Sequence, residues 1–479
     1  MPPLDWWENV MTEIIETDIC VVGGGSGGLS IAAGAAQMGA AVVLVEGHKM
    51  GGDCLNYGCV PSKALLAAAH HAASDGDAFG VAIAPPKVRY AQVMRHVRDV
   101  IDGIAPIDSV ERFTGLGVRV IEAAGRFVDA DTLAAGKFHI RAKRFVIATG
   151  SRPAIPPIAG LKSVPYLTNE TIFDGTRRPS HLLIVGGGPI GMEMAQAHVR
   201  LGSKVTVFEA MRVLGREDPE LAAPVIAQLE AEGVRFVSGA PVAKVSKKDG
   251  KIRIRTETET IEGSHLLVAA GRAPNIETLN LEAAGVATER GAIAADRRLR
   301  THNRRIFAIG DVIGGPQFTH AASYHAGIVM RNILFHIPAR VNYAALPRVT
   351  YTAPELAAVG VNEAEARAQN SAVKVLRWPF KENDRARAER DTAGAVKIVT
   401  ARNGRILGAG IVGANAGDLL APWTLAISQG LRIGAMAGVV APYPTRGEAS
   451  KRAAGDFYTP TLFSPRTRAV VRALSWFRR

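Results

Sequence analysis

Two strand, turn, helix, strand units of one layout constrain this chain more than any other feature. The first runs from Asp18-Ile19-Cys20-Val21-Val22 into a turn carrying Gly23, Gly25 and Gly28, then an alanine-rich helix, then Ala41-Val42-Val43-Leu44-Val45-Glu46. The second runs from Leu182-Leu183-Ile184-Val185 into Gly186, Gly188, Ile190 and Gly191, then a helix, then Lys204-Val205-Thr206-Val207-Phe208-Glu209. In each, the closing acid follows the last glycine by the same interval. A single glycine turn of this kind is weak; two with matched acids predict two parallel-sheet units that each cradle a pyrophosphate. The helix N-terminus there supplies N–H donors, and the acid serves a ribose. A carboxylate at Glu209 suits a 2′-hydroxyl and repels a 2′-phosphate, with only Arg212 near enough in sequence to soften it, so NADH is expected over NADPH.

The second feature is the segment Gly51-Gly52-Asp53-Cys54-Leu55-Asn56-Tyr57-Gly58-Cys59-Val60-Pro61-Ser62-Lys63, which holds two of the chain's three cysteines. A structural staple or half of a metal site are the plainer readings. One pair staples a 479-residue chain poorly, however, and no second pair completes a zinc site. Proline in the first turn of an alanine-rich run places Cys59 at a helix N-terminus, where the dipole and the nearby Lys63 favour a thiolate. Cys54 and Cys59 are therefore read as a redox-active disulfide, and no resident metal site is expected.

Order and content of these motifs resemble the flavin-dependent pyridine nucleotide-disulfide oxidoreductases, the family that includes dihydrolipoamide dehydrogenase, glutathione reductase and mercuric reductase. The resemblance extends through Ala148-Thr149-Gly150-Ser151-Arg152-Pro153, Ala270-Gly271-Arg272-Ala273-Pro274-Asn275, Ile306-Phe307-Ala308-Ile309-Gly310-Asp311 and Thr352-Ala353-Pro354-Glu355-Leu356. It implies an α/β fold of two Rossmann-like dinucleotide-binding domains, for FAD and NAD, with an α+β C-terminal dimerisation domain. The implied boundaries are residues 1–152 and 276–342 for FAD, 153–275 for NAD(H), 343–462 for the interface domain and 463–479 for a basic tail. The implied working form is a homodimer whose active sites borrow residues from the partner's C-terminal domain.

By the same resemblance Glu46 serves the adenosine ribose of FAD, Asp311 the ribityl chain, and the His320 segment lies along the flavin; Gly52, Thr149, Gly150 and Gly310 belong to that site. Gly186, Gly188, Ile190, Gly191, Glu209 and Gly271 belong to the NAD(H) site. Cys59 is implied as the charge-transfer thiol, Cys54 as the interchange thiol, and Lys63 with Glu193 as an ion pair beside flavin N5. Electrons would pass between NADH, flavin, the dithiol and an acceptor.

Disulfide-reducing members carry a His-Pro-Thr segment followed by an orienting glutamate. Here the stretch reads Tyr443-Pro444-Thr445-Arg446-Gly447-Glu448, so Tyr443 stands at the histidine position and Glu448 remains. A phenol near pKa 10 needs about 4 kcal/mol to act as a base at pH 7, where imidazole needs almost nothing. Ordinary dithiol turnover should be slow unless His320 or His325 substitutes. A tyrosine at this place is a trait of mercuric reductases, yet the sequence shows neither an N-terminal Cys-x-x-Cys module nor a C-terminal cysteine pair.

Three functions are weighed: reduction of a metal ion, small oxidant or unusual disulfide; a dihydrolipoamide dehydrogenase with a specialised lipoyl partner; and a redox-sensing or membrane-docking protein. The last is disfavoured because a sensor needs no hydride donor. The net charge of +13 is scattered rather than gathered for nucleic acid. The cysteine usage and an N-terminus without an export pattern are expected of a cytoplasmic chain. From Arg466 to Arg479 the tail holds five arginines and no acid, with Val470, Leu474 and Phe477 on one helical face and Arg468, Arg472 and Arg479 displaced from it. Such a tail suits weak contact with an anionic membrane surface or an acidic partner; the preferred reading is a helix packed on the dimer body. Trp6 and Trp7 are expected to pack on the first domain, and the Arg385–Arg390 region to be solvated.

Overall fold

Strand Glu13–Val22 runs through the middle of a seven-stranded sheet, and Ile19, Cys20, Val21 and Val22 are all buried, as a strand covered on both faces requires. The computed structural model describes residues 13–73, 76–369 and 372–476. Trp6 and Trp7 lie outside the described residues, as do Phe477 and Arg479 of the tail. The central strand pairs in parallel with Val42–Glu46 on one side and Phe138–Ile147 on the other, and Val118–Glu122 extends the first edge. Ile306–Ala308 comes back from far along the chain to pair in parallel with Phe145–Ile147. Helices Ser26–Gln37 and Thr319–Ile333 cover one face together. Their small residues allow close approach, since a Cβ on Gly34 would stand 2.6 Å from the Met330 sulfur.

The second glycine turn sits in a separate parallel sheet, ordered Val234–Ser238, Lys204–Glu209, His181–Val185, His265–Val268. The chain enters this unit through Ser151–Pro153 and leaves through Arg272–Pro274, and the two crossings pair as an antiparallel ribbon. A five-stranded antiparallel sheet follows, ordered Pro347–Thr350, Glu355–Gly360, Ile406–Gly413, Ala395–Ala401, Val373–Pro379. Its core includes the fully buried Trp423, whose indole N–H donates to Ser450 Oγ at 3.0 Å. This is the mixed α/β architecture expected from the motifs.

One core cluster crosses all three units. Leu65 of helix Cys59–Ala72, Met192 and Met194 of helix Pro189–Arg200, and Leu356 of the C-terminal sheet pack into it. That cluster sets the height at which the cysteine helix meets the second nucleotide unit.

Two surface segments gain detail. Helix Pro465–Trp476 starts as its sequence dictates, with Ser464 Oγ accepting from Thr467 N at 3.2 Å and proline at the first position. On the single chain Val470, Val471 and Leu474 are each more than half exposed. The Arg385–Arg390 region is solvated as expected, with Arg385, Arg387 and Arg390 exposed, and it also carries ion pairs: Arg446, buried, reaches Glu389 and Asp391 at 2.8 Å, and Arg385 pairs with Glu389. Among the described residues no helix is long and apolar enough to cross a membrane.

Candidate active site

Gly51 and Gly52, both at positive φ, turn the chain into the short helix Gly52–Asn56 that carries Cys54. Tyr57 and Gly58 break that helix, and Cys59 is the first residue of helix Cys59–Ala72. A Cβ on Gly52 would lie 2.8 Å from Gly25 Cα, so only glycine lets the cysteine segment seat on the first nucleotide turn. Cys54, Ser26, Ser30, Gly51 and Thr319 line one cavity of about 380 Å³.

Both cysteines are thiols here, and they are unequal. The Cys59 thiol is held down at about 6, first by its hydrogen bond with Cys54, then by the Thr319 hydroxyl and the Lys63 ammonium, against the effect of burial. Thr319 Oγ1 lies 3.3 Å from Cys59 Sγ. Cys54 moves the opposite way: the hydrogen bond with Cys59 leaves the proton on it, and burial and the Asp53 carboxylate add to the rise. The pair therefore holds one thiolate at Cys59 and one protonated thiol at Cys54.

Lys63 Nζ lies 2.8 Å from Glu193 Oε2, joining the cysteine helix to the helix of the second glycine turn. Glu193 is buried, and its other oxygen accepts from Tyr351 N at 3.0 Å, while Lys63 Nζ stands 4.2 Å from the Tyr351 ring centroid. Three units thus meet at one ion pair.

The glycine turns match in atomic detail. A Cβ on Gly28 would fall 1.9 Å from Gly23 O, and one on Gly191 would fall 1.9 Å from Gly186 O. Glu46 accepts from Gly24 N at 2.5 Å and His48 N at 2.6 Å; Glu209 accepts from Gly187 N at 2.8 Å and Met211 N at 3.0 Å. Each carboxylate ties its turn to the end of its strand. Arg212 is not beside Glu209 to neutralise it, since its guanidinium donates to Gly215 O and Glu217 O within its own loop. Gly188 is the residue before helix Pro189–Arg200, and Ile190, second in that helix, is exposed. Both turns have the tight backbone and donor set that a dinucleotide pyrophosphate fits.

Asp311 follows Gly310 and accepts from Ser151 Oγ at 2.5 Å; burial pushes its carboxyl up. Arg272 lies within the Ala270–Asn275 motif. It donates to Ser151 Oγ at 2.7 Å and lies 3.1 Å from Asp53 and 3.6 Å from Asp311, so it links the residue before Cys54 to the Asp311 loop. Asn169 also donates to Asp53, at 2.9 Å. Thr149 and Gly150 are tied to Asn275, by Thr149 Oγ1 to Asn275 O at 2.7 Å and Asn275 N to Gly150 O at 3.0 Å. Gly271, at φ +128, begins the returning crossing. No local sequence signal marks Arg272, Asn169, Thr319 or Tyr351 as site residues, because their partners are far away in the chain.

Of the two substitute bases, His325 is closed off from the thiols' surroundings by burial, and His320 is exposed with a backbone carbonyl as its partner. His325 is fully buried, accepts from Gly310 N at 3.0 Å and lies 2.9 Å from the Tyr343 hydroxyl; burial brings it down to about 4. It braces the Gly310 turn in its neutral form. His320 bonds to Pro347 O at 2.8 Å and stacks on Phe318. Tyr443 is exposed and donates to Asp384 Oδ2 at 3.0 Å, a bond that raises its pKa further. Glu448 does not orient Tyr443 on this chain: it pairs with Arg452 at 2.7 Å.

Two family models match most of the chain. The pyridine nucleotide-disulphide oxidoreductase model matches residues 17–326, and that family's dimerisation domain matches residues 346–454. The chain belongs to the pyridine nucleotide-disulphide oxidoreductases. It is 36% identical to a mercuric reductase of Bacillus cereus over 92% of this chain and 71% of that one. It is 35% identical to a dihydrolipoyl dehydrogenase of Geobacillus stearothermophilus over 92% and 96%. A solved Cu(II) complex of the HOCl-induced flavoprotein disulfide reductase RclA from Escherichia coli superposes with a TM-score of 0.83 at 26% identity, covering 92% of this chain and 99% of that one. As a member of this oxidoreductase family the chain is a flavoprotein enzyme of the disulfide reductase type.

Proposed function

We propose that this enzyme uses NADH and FAD to reduce an acceptor through the Cys54–Cys59 dithiol, the acceptor being a soft metal ion, a small oxidant or an unusual disulfide, as in mercuric reductase. The observation that carries this reading is the unequal thiol pair, taken with a tyrosine, Tyr443, at the position where a histidine is usual. The Cys59 thiol is held well below the usual thiol range, first by its hydrogen bond with Cys54, whereas the group at the usual histidine position is a phenol bound to a carboxylate. A soft cation displaces a thiol proton by binding sulfur, so it needs no strong base. A disulfide substrate does need proton delivery to its leaving thiol.

The first glycine turn, Glu46 and the Asp311 loop would hold FAD, and the second turn with Glu209 would hold NADH. Bound flavin would supply two-electron transfer between nicotinamide and sulfur, chemistry that no side chain here provides. Lys63, fixed by the buried Glu193, sets a cation beside Cys59 and helps keep that sulfur ionised. Oxidation of this thiolate–thiol pair would form the Cys54–Cys59 bond, pass two electrons to the acceptor and release the single proton held on Cys54. The same reading assigns residues 1–152 and 276–342 to FAD, 153–275 to NAD(H) and 343–462 to the interface of a homodimer. Exposed Leu425, Val440 and Tyr443 supply apolar surface for a second copy.

The test is anaerobic reduction with NADH, followed by turnover with mercuric ion in excess thiol, lipoamide, and dihydrolipoamide with NAD. The expected result is a long-wavelength charge-transfer band that Cys59→Ser abolishes, and metal reduction well above lipoamide turnover. Brisk dihydrolipoamide oxidation would instead favour the lipoamide reading, and absence of the band in the native enzyme would remove the dithiol from the mechanism.

A further inference from the structure

From Phe457 to Arg479 the chain carries five arginines and neither aspartate nor glutamate, a long acid-free stretch beyond the end of the dimerisation match at residue 454. Helix Pro465–Trp476 occupies most of it. Its start is locally determined by the Ser464 cap and Pro465, so it does not depend on tertiary packing for its first turn. Thr467 Oγ1 also donates to Thr461 O at 2.7 Å, which fixes the helix to the turn before it.

Along this helix Val470, Val471 and Leu474 form one row, and Phe463 lies just ahead of it; all four are more than half exposed. Arg468 and Arg472, one turn apart, stand on the opposite side, while Arg466 flanks the apolar row. Trp476 is 82% exposed near the helix end. At about 18 Å, a helix of 12 residues is too short to span a bilayer. It is suited to lying flat at an interface, apolar row inward, with arginines extended to the headgroup phosphates.

We infer that helix Pro465–Trp476 is a docking surface for a bilayer bearing anionic phospholipid. The charge complementarity of an acid-free arginine segment selects anionic headgroups over neutral ones. The exposed apolar row selects a lipid surface over an acidic protein tail, which would satisfy the arginines and leave that row in water. The inference stands apart from the choice of electron acceptor, since no tail residue belongs to the candidate active site.

Vesicle co-sedimentation of the full-length holoenzyme tests it, with phosphatidylcholine vesicles containing phosphatidylglycerol compared against phosphatidylcholine alone. Binding is expected to the anionic vesicles only, and to be lost at high salt, where the screening length falls to about 3 Å. Reversing Arg468 and Arg472 together (R468E, R472E) should weaken binding at least about 25-fold, at roughly fivefold per arginine removed. Leu474→Asp should weaken it without altering NADH oxidation in solution. No sedimentation with anionic vesicles, equal binding to neutral vesicles, or undiminished binding by the double variant would each overturn the inference. So would a dimer that falls apart when residues 465–479 are removed, because the apolar row would then belong to a second copy. Capture of the holoenzyme by poly-glutamate but not by vesicles would overturn it in favour of an acidic partner.

Discussion

At Cys59 a helix N-terminus, a threonine hydroxyl and an ammonium converge on one sulfur, and each favours the ionised form. Alkylation of the NADH-reduced enzyme with iodoacetamide should therefore titrate with a midpoint near 6, well below the ~8.5 of a free cysteine. Lys63→Met should move that midpoint upward, because the cation that favours the thiolate is gone. A native midpoint above 8 would contradict the assignment of the thiolate to Cys59. Glu209 supports a second prediction at this scale. With Arg212 committed to its own loop, no side-chain cation pairs with Glu209 among the described residues, and Glu209→Gln should lower kcat/KM for NADH by about tenfold or more while changing that for NADPH in the opposite sense. Comparing the two coenzymes in one assay reads the selectivity directly. An unchanged ratio would remove Glu209 from coenzyme choice.

The two glycine turns have equivalent geometry, and the proposed function gives them separate cofactors. Gly28 and Gly191 each face a carbonyl at a distance no Cβ tolerates, so alanine at either position must open its turn. Gly28→Ala is expected to purify with little or no flavin, as absorbance near 450 nm would show. Gly191→Ala should keep its flavin and its response to dithionite but lose reduction by NADH. If Gly191→Ala lost flavin as readily as Gly28→Ala, the two turns would not serve different cofactors. The cysteine helix depends on both elements, since Gly52 seats it on the first turn and Lys63 anchors it to the helix following the second.

Across the molecule, the nucleotide unit and the C-terminal sheet are clamped by a buried cation. Lys397, on strand Ala395–Ala401, is 5% exposed and reaches Asp218 and Glu220 at 2.8 Å and Glu363 at 3.0 Å. Replacing it with methionine leaves the buried Asp218 without its cation, while Arg377 and Arg367 still hold Glu220 and Glu363, a loss of about 3 kcal/mol, measurable as a fall in thermal midpoint at pH 7. The Lys397 hydrogen bond, ahead of the other causes, lowers Glu363 to about 2 from an ordinary 4.5. A lowered carboxyl stabilises the fold above its ordinary pKa and loses that contribution as pH falls through its folded value. The gap in thermal midpoint between native enzyme and Lys397→Met should thus narrow as pH drops from about 4.5 towards 2. A gap that stays constant over that window would show that Lys397 acts by packing rather than charge.

What the sequence alone determined were the features encoded within some thirty residues: both glycine turns with their closing acids, the helix that begins at Cys59, the proline- and serine-capped tail helix, and the family. Local backbone conformation and short-range periodicity carry that information. The lysine-glutamate pair was legible only through resemblance, and its third member, Tyr351, was not legible at all. Tertiary structure decided that Arg272 joins Asp53 to Asp311, that Thr319 bonds to Cys59, and that His325 is a brace rather than a base. It also decided that Glu448 turns to Arg452, leaving Tyr443 with Asp384. These partners sit on elements that only the stacking of three units brings together, and a polar side chain takes whichever charge the fold places within hydrogen-bond reach.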